Sequence, residues 1–144
     1  MKRILVVDDD HNTTKALVFL LSNSGYEVFE ASDGEEALEY LERLPFDLVL
    51  LDHGMPRKTG LQVMETLSHV DHSTKIILIT AHDSDEVRRR SKTLRADAFV
   101  VKPLNRQRLM KLVEKILFDA GDGAASLGAR GEKSLSKSSM VEEE

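Results

Sequence analysis

Short apolar runs alternate along this chain with longer amphipathic stretches. Residues 3–7, Arg-Ile-Leu-Val-Val, form a β-branched run that stops at three aspartates. A continuous apolar run of this length reads as a strand buried on both faces. Residues 12–23 follow, with Ala16, Leu17, Phe19, Leu20 and Leu21 at roughly helical spacing, and Gly25 is expected to close that helix as its C′ residue. Tyr26 to Ala31 alternates like a strand. Asp33-Gly34 opens a helix with Ala37, Leu38 and Leu41 on one face, ended by Pro45. Phe46 to Leu51 is the most apolar run and stops at Asp52. A helix starts at Gly60, with Leu61, Val63, Met64 and Leu67. Lys75 to Thr80 predicts a fourth strand, Ser84 to Leu94 an arginine-rich helix, and Asp97 to Lys102 a fifth strand stopped by Pro103. Asn105 is placed to cap a last helix bearing Leu109, Met110, Leu112, Val113, Ile116 and Leu117.

Strands alternating with helices imply a parallel sheet with right-handed crossovers and helices on both faces. The expected fold is therefore α/β, a doubly wound five-stranded parallel sheet in three layers, and the flavodoxin-like order 2-1-3-4-5, one of the two common doubly wound orders, is the one expected for its strands. The domain is expected to span residues 1–118. Residues 119–144 are rich in Gly, Ala, Ser, Lys and Glu, and Leu127, Leu135, Met140 and Val141 are their large apolar side chains. Such a composition buries too little surface to offset its ordering entropy, so this tail is expected to be disordered. Ser134–Val141 is its candidate partner-binding stretch.

Composition narrows the setting. The chain has 144 residues and no cysteine, which removes disulfides, thiolate metal sites and cysteine nucleophiles. No apolar run reaches a membrane span, and the N-terminus turns acidic too early for a signal peptide. A cytoplasmic protein without membrane insertion is expected. The formal charge of −5 hides an asymmetry. Residues 1–83 carry 7 basic and 15 acidic side chains, residues 84–118 carry 10 and 4, and residues 119–144 carry 3 and 6. An acidic first half argues against direct nucleic-acid binding and suits a cation site. The basic block, with Arg88, Arg89, Arg90, Lys92 and Arg95, reads either as a solvated helix face or as a docking face for an acidic partner.

Chemistry gathers at the strand ends. The first strand ends at Asp8-Asp9-Asp10, the third at Asp52, the fourth at Thr80 and the fifth at Lys102. In the order 2-1-3-4-5, the crevice between the first and third strands is where ligands bind. That puts Asp8, Asp9 and Asp52 together, with Thr80 and Lys102 on the far side. Crowded carboxylates call for a hard divalent cation, and Mg²⁺ is typically held by one or two carboxylates plus a phosphate. Two acids and a metal beside a lysine suit phosphoryl transfer. Asp10 is read as a helix cap instead.

These motifs resemble the receiver domain of bacterial two-component response regulators. The resemblance covers residues 1–118. It rests on Ile4-Leu5-Val6-Val7-Asp8-Asp9, Leu51-Asp52-His53-Gly54-Met55-Pro56 with Gly60, Ile79-Thr80-Ala81, and Val101-Lys102-Pro103. It implies a stand-alone response regulator in which Asp52 accepts a phosphoryl group from a sensor histidine kinase or histidine phosphotransfer protein. By the same resemblance, Asp9 ligates Mg²⁺ directly, Asp8 acts largely through water, and the Gly54 carbonyl is a further ligand. Thr80 and Lys102 bind phosphoryl oxygens, and the Lys102–Pro103 bond is expected to be cis. Phe99 matches an aromatic switch position, so Thr80 and Phe99 would transmit phosphorylation to the face of the fourth helix, fifth strand and fifth helix. Catalysis would be limited to self-phosphorylation and self-dephosphorylation.

A phosphorelay intermediate and a phosphorylation-independent adaptor are the alternatives. A DNA-binding regulator is disfavoured because no helix-turn-helix segment is visible after residue 118. A metal-dependent aspartate phosphatase is disfavoured because Gly54 stands where such enzymes carry a second acid. The sequence departs from the family pattern at His53, where an apolar residue is usual, at Arg95, where glycine is common, and at Leu104, where phenylalanine is common. His82 is placed to lie over the pocket and tune access of water. A His53–His82 metal site lacks any supporting ligand spacing.

Overall fold

A computed structural model of the chain describes residues 1–70 and 72–119 and the backbone of 141–143. Strands β1 (Arg3–Val7), β2 (Glu27–Ala31), β3 (Leu48–Asp52), β4 (Lys75–Thr80) and β5 (Ala98–Val101) alternate with helices α1 (His11–Asn23), α2 (Gly34–Arg43), α3 (Gly60–Leu67), α4 (Asp85–Thr93) and α5 (Arg106–Glu114). One π-helical turn, Lys115–Asp119, extends α5. The five strands pair in parallel in the expected order 2-1-3-4-5. Strand starts moved inward: β3 begins at Leu48 rather than Phe46, and β5 at Ala98 rather than Asp97.

The tail needs one correction. Residues 141–143, expected to be disordered, form strand β6, which pairs in parallel with β5 at Ala98–Val141, Phe99–Glu142 and Val100–Glu143. Its three residues add a sixth strand beyond β5. The rest of that expectation, residues 120–140 and 144, lies outside the described residues.

Each apolar strand feeds two cores because successive side chains point to opposite faces. Leu5, Val7, Val49, Leu51, Leu78 and Phe99 pack under α2, α3 and α4. Ile4, Val6, Leu48, Leu50, Ile77 and Val100 pack under α1 and α5. Helix ends are set locally. Asp10, Asp33, Ser84 and Asn105 each accept an N-cap hydrogen bond from their helix. Thr59 and Gln62 form a full capping box on α3. Gly25 takes φ 96° after α1, a left-handed conformation that costs glycine little.

The end of the sheet where the strands begin is closed by aromatics. Phe29, Tyr40 and Phe46 meet edge to face at 5.6–6.3 Å between centroids. Arg3 covers them, its guanidinium about 6 Å from the Phe29 and Phe46 rings. The opposite end stays polar and carries the strand-end residues singled out above.

Gly60 ties α3 to the loop after β3. A Cβ there would meet Leu78 Cδ1 at 2.7 Å and the Asp52 carbonyl oxygen and His53 Cα at 2.9 Å. Gly60→Ala is expected to cost about 1–3 kcal/mol in urea unfolding, because the obstacles are largely backbone. An unchanged midpoint would show that α3 does not press on the Asp52 loop.

Candidate phosphoryl-transfer site

Asp8 follows β1 and Asp52 ends β3, and both are about 5% exposed. Asp9 is exposed. Carboxylate oxygens of Asp8, Asp9 and Asp52 all lie within 4.8 Å of one another. Lys102, just after β5, reaches across, its Nζ 3.1 Å from Asp52 Oδ1 and 3.2 Å from Asp8 Oδ2. The Lys102–Pro103 bond is cis, as expected. Gly54 lies in the loop beyond Asp52, and a Cβ there would sit 4.0 Å from Asp52 Oδ2. The backbone therefore approaches the carboxylate without a side chain between.

The turn holding the aspartates is fixed from below. Thr14 is buried, and its hydroxyl donates to the Asp10 carbonyl at 2.8 Å, with the Asp8 carbonyl at 3.4 Å. The Asp10 N–H donates to Asp8 Oδ1 at 3.0 Å. Asp10 itself caps α1 and stays out of the cluster, as expected. Thr14 was not foreseen. A threonine four residues after the capping aspartate was the available signal.

Electrostatics at this site do not balance within the protein. Burial pushes the Asp52 carboxyl pKa up, and the nearby Asp8 charge adds to it. Lys102 opposes both without overcoming them. Burial alone would lower the Lys102 ammonium pKa, but Asp52 and Asp8 outweigh it and raise it. Three acids therefore crowd a pocket in which Lys102 contacts two of them, Asp8 and Asp52. Hard oxygen donors held this close fit Mg²⁺, with Asp8, Asp9 and Asp52 as the residues that would hold it.

Thr80 is buried beside this pocket, but its hydroxyl is engaged with its own loop. It donates to the His82 carbonyl at 3.1 Å and accepts the His82 N–H at 3.2 Å. The His82 side chain is exposed. It is the backbone of His82 that the structure ties to Thr80. His53 is half-buried, and among the described residues its Nδ1 has no hydrogen-bond partner. Burial lowers its pKa.

The switch position and basic block fall next to each other. Phe99 is fully buried, and the Arg88 guanidinium lies 4.8 Å from its ring centroid. Arg88 also grips Asp83 with both ends of its fork, at 2.8 and 2.6 Å. Arg88 is thus turned inward, unlike the exposed Arg89, Lys92 and Arg95. Arg90 is exposed but pairs with Glu65 of α3 at 3.1 Å. The sequence grouped these cations as one face, and the structure divides them. Arg95 adopts φ 73°, so the turn into β5 takes the left-handed geometry glycine would favour.

The family model for the response regulator receiver domain matches residues 4–114. This chain belongs to the response regulator receiver family. The receiver domain is 39% identical over 117 residues to the transcriptional regulatory protein CpxR of Escherichia coli K12, covering 81% of this chain and 50% of CpxR. The chain thus spans about half the length of the curated relatives it matches first. Among solved structures, the receiver domain resembles chemotaxis regulator CheY4 of Vibrio cholerae, with TM-score 0.76, 31% identity, and coverage of 81% of this chain and 99% of CheY4. It also resembles TrrA of Thermotoga maritima, solved in complex with Mg²⁺-BeF, with TM-score 0.74, 41% identity, and coverage of 81% and 100%.

The unbalanced acids generate a test in two directions. Without metal, Asp52→Asn is expected to raise the Tm at neutral pH, because it removes one of three repelling charges. The cost of ionising Asp52 appears as pH rises through its raised pKa and is complete above it, so the gain should vanish in acid. In wild type, Mg²⁺ at about 100 times its Kd should add about 2.7 kcal/mol. Asp9→Asn should abolish that response. A wild-type Tm indifferent to Mg²⁺ would remove the metal from the site.

Proposed function

We propose that this receiver domain works as a stand-alone response regulator, phosphorylated on Asp52 by a sensor histidine kinase or a histidine phosphotransfer protein. The observation that carries this reading is the placement of Lys102 Nζ 3.1 Å from Asp52 Oδ1, within a cluster of three carboxylates. An Asp52 carboxylate oxygen attacks phosphorus, forming a P–O bond as the P–N bond to the donor histidine breaks. The donor imidazole leaves with the bonding electron pair. Lys102 faces the charge that develops on the phosphoryl oxygens. Mg²⁺, when held by Asp8, Asp9, Asp52 and the Gly54 carbonyl, supplies the remaining charge neutralisation.

Catalysis by the chain itself is confined to this transfer and to later hydrolysis of the acyl phosphate at Asp52. Output follows from Thr80. To donate to a phosphoryl oxygen, its hydroxyl must give up the His82 carbonyl, which loosens the loop bearing Asp83. Asp83 holds Arg88, and Arg88 covers Phe99. Phosphorylation therefore reaches the face of α4, β5 and α5 through a short run of polar contacts. A protein target is favoured by the cations exposed there and by the likeness to CheY4, whose solved chain is matched almost end to end. A cytoplasmic setting suits a partner of histidine kinases.

Intact mass after incubation with Mg²⁺ and acetyl phosphate tests the reading. One phosphoryl group is expected on wild type, and none on Asp52→Ala or without Mg²⁺. Lys102→Gln is expected to react about 10²-fold more slowly. Wild type left unmodified by acetyl phosphate and by phosphohistidine donors alike would sink the proposal.

A further inference from the structure

Strand β6 sits on the edge of β5, in the middle of the proposed output face. β5 is flanked on one side of the sheet by α4, whose Val87, with the C-cap Leu94 that follows it, packs in the core containing Phe99. It is flanked on the other by α5, whose Leu109, Leu112 and Val113 pack with Ala98 and Val100. Residues 84–118, which include both helices, hold 10 basic and 4 acidic side chains. The segment paired to β5 has the sequence Val-Glu-Glu, and Glu144 follows it. The most acidic stretch of residues 119–144 thus arrives at the sheet edge bordered by the most basic part of the chain.

We infer that Val141–Glu143 is an internal competitor for the face of α4, β5 and α5, an acidic strand that an acidic, extended partner segment must displace to add to β5. An open sheet edge offers unpaired N–H and C=O groups and invites strand addition by other chains. A covalently attached strand fills that edge with the advantage of an intramolecular reaction. It is also displaceable, because three residues are near the lower limit for a strand and parallel pairing is slightly weaker per residue than antiparallel. Occupancy of the edge stands apart from phosphorylation, whereas its regulatory consequence rests on the receiver reading of Asp52. If phosphorylation reshapes the Phe99 region, it alters the affinity of β5 for β6, and removing β6 must alter the phosphorylated state's stability by the same factor.

Hydrogen exchange read by mass spectrometry on the β5 peptide tests this. The full chain is compared with one lacking residues 141–144 and with Glu142→Lys/Glu143→Lys. Both changes are expected to speed exchange of the β5 amides turned away from β4 by about tenfold or more, leaving β1 and β3 unchanged. A synthetic peptide spanning Ser138–Glu144 should restore protection to the shortened chain, more weakly at high salt, and should bind the full chain far less. Equal β5 exchange in full and shortened chains would overturn the assignment. So would peptide binding that is equal for both. Protection that depends on protein concentration would transfer the strand to a second copy and overturn the intramolecular contact. The acetyl phosphate assay on the same samples keeps the two readings apart: its failure sinks the receiver chemistry and leaves the exchange result standing.

Discussion

Repulsion among three carboxylates, held at the ends of two adjacent strands, is the constraint on which the rest of this structure turns. Asp8 and Asp52 are buried, so water cannot screen them well, and Lys102 is the cation in contact with both. The fold tolerates this because the sheet beneath is rigid and apolar on both faces, and because Thr14 and the Asp10 cap fix the β1 turn. A site that is electrostatically unfinished without a divalent cation and a phosphoryl group is poised to bind them. The stability given up at this end of the sheet is compensated by dense packing below it.

The pocket and the output face are close in space but differ in kind. At the pocket, charge decides the outcome. At Phe99 the issue is packing, since the ring lacks a hydroxyl and is fully buried. The Asp83–Arg88 fork joins the two, because one end is an ion pair and the other lies over an aromatic ring. A change in hydrogen bonding at Thr80 can be turned there into a change in what covers Phe99. The neighbouring cations are left on the surface for partners or for the chain's own acidic segment.

Most of the architecture was legible in the sequence because each parallel strand is a short β-branched run cut off by a polar residue. Those stops are also the site, so locating the strands located Asp8, Asp52, Thr80 and Lys102 together. What was not legible depended on contacts between distant segments. Nothing in Val-Glu-Glu reads as a strand; β6 exists because β5 offers an edge, and no periodicity in the segment itself announces that. The arginines of α4 look alike in sequence, yet Arg88 alone among them lies over Phe99, which the run of cations does not reveal. The α3 capping box is written in the sequence as Thr59 and Gln62, one residue before and two after the Gly60 that marks the helix start. At Arg95, a residue that departs from the glycine pattern still adopts the left-handed turn, so the backbone geometry outlasted the change in residue.

The aromatic closure at the start of the strands has a consequence for how this protein can be watched. The chain has no tryptophan and two tyrosines, Tyr26 and Tyr40. Tyr40 belongs to the cluster with Phe29 and Phe46, and Tyr26 stands just before β2, so both lie toward the end of the sheet opposite Asp52. Native fluorescence therefore originates at the end of the sheet away from the acidic cluster, from Tyr40 among the rings beside Arg3 and from Tyr26 against the core under α1 and α5. The working end is optically dark. Unfolding will be visible in that light, whereas the chemistry at the strand ends will pass unseen until a chromophore is placed beside it.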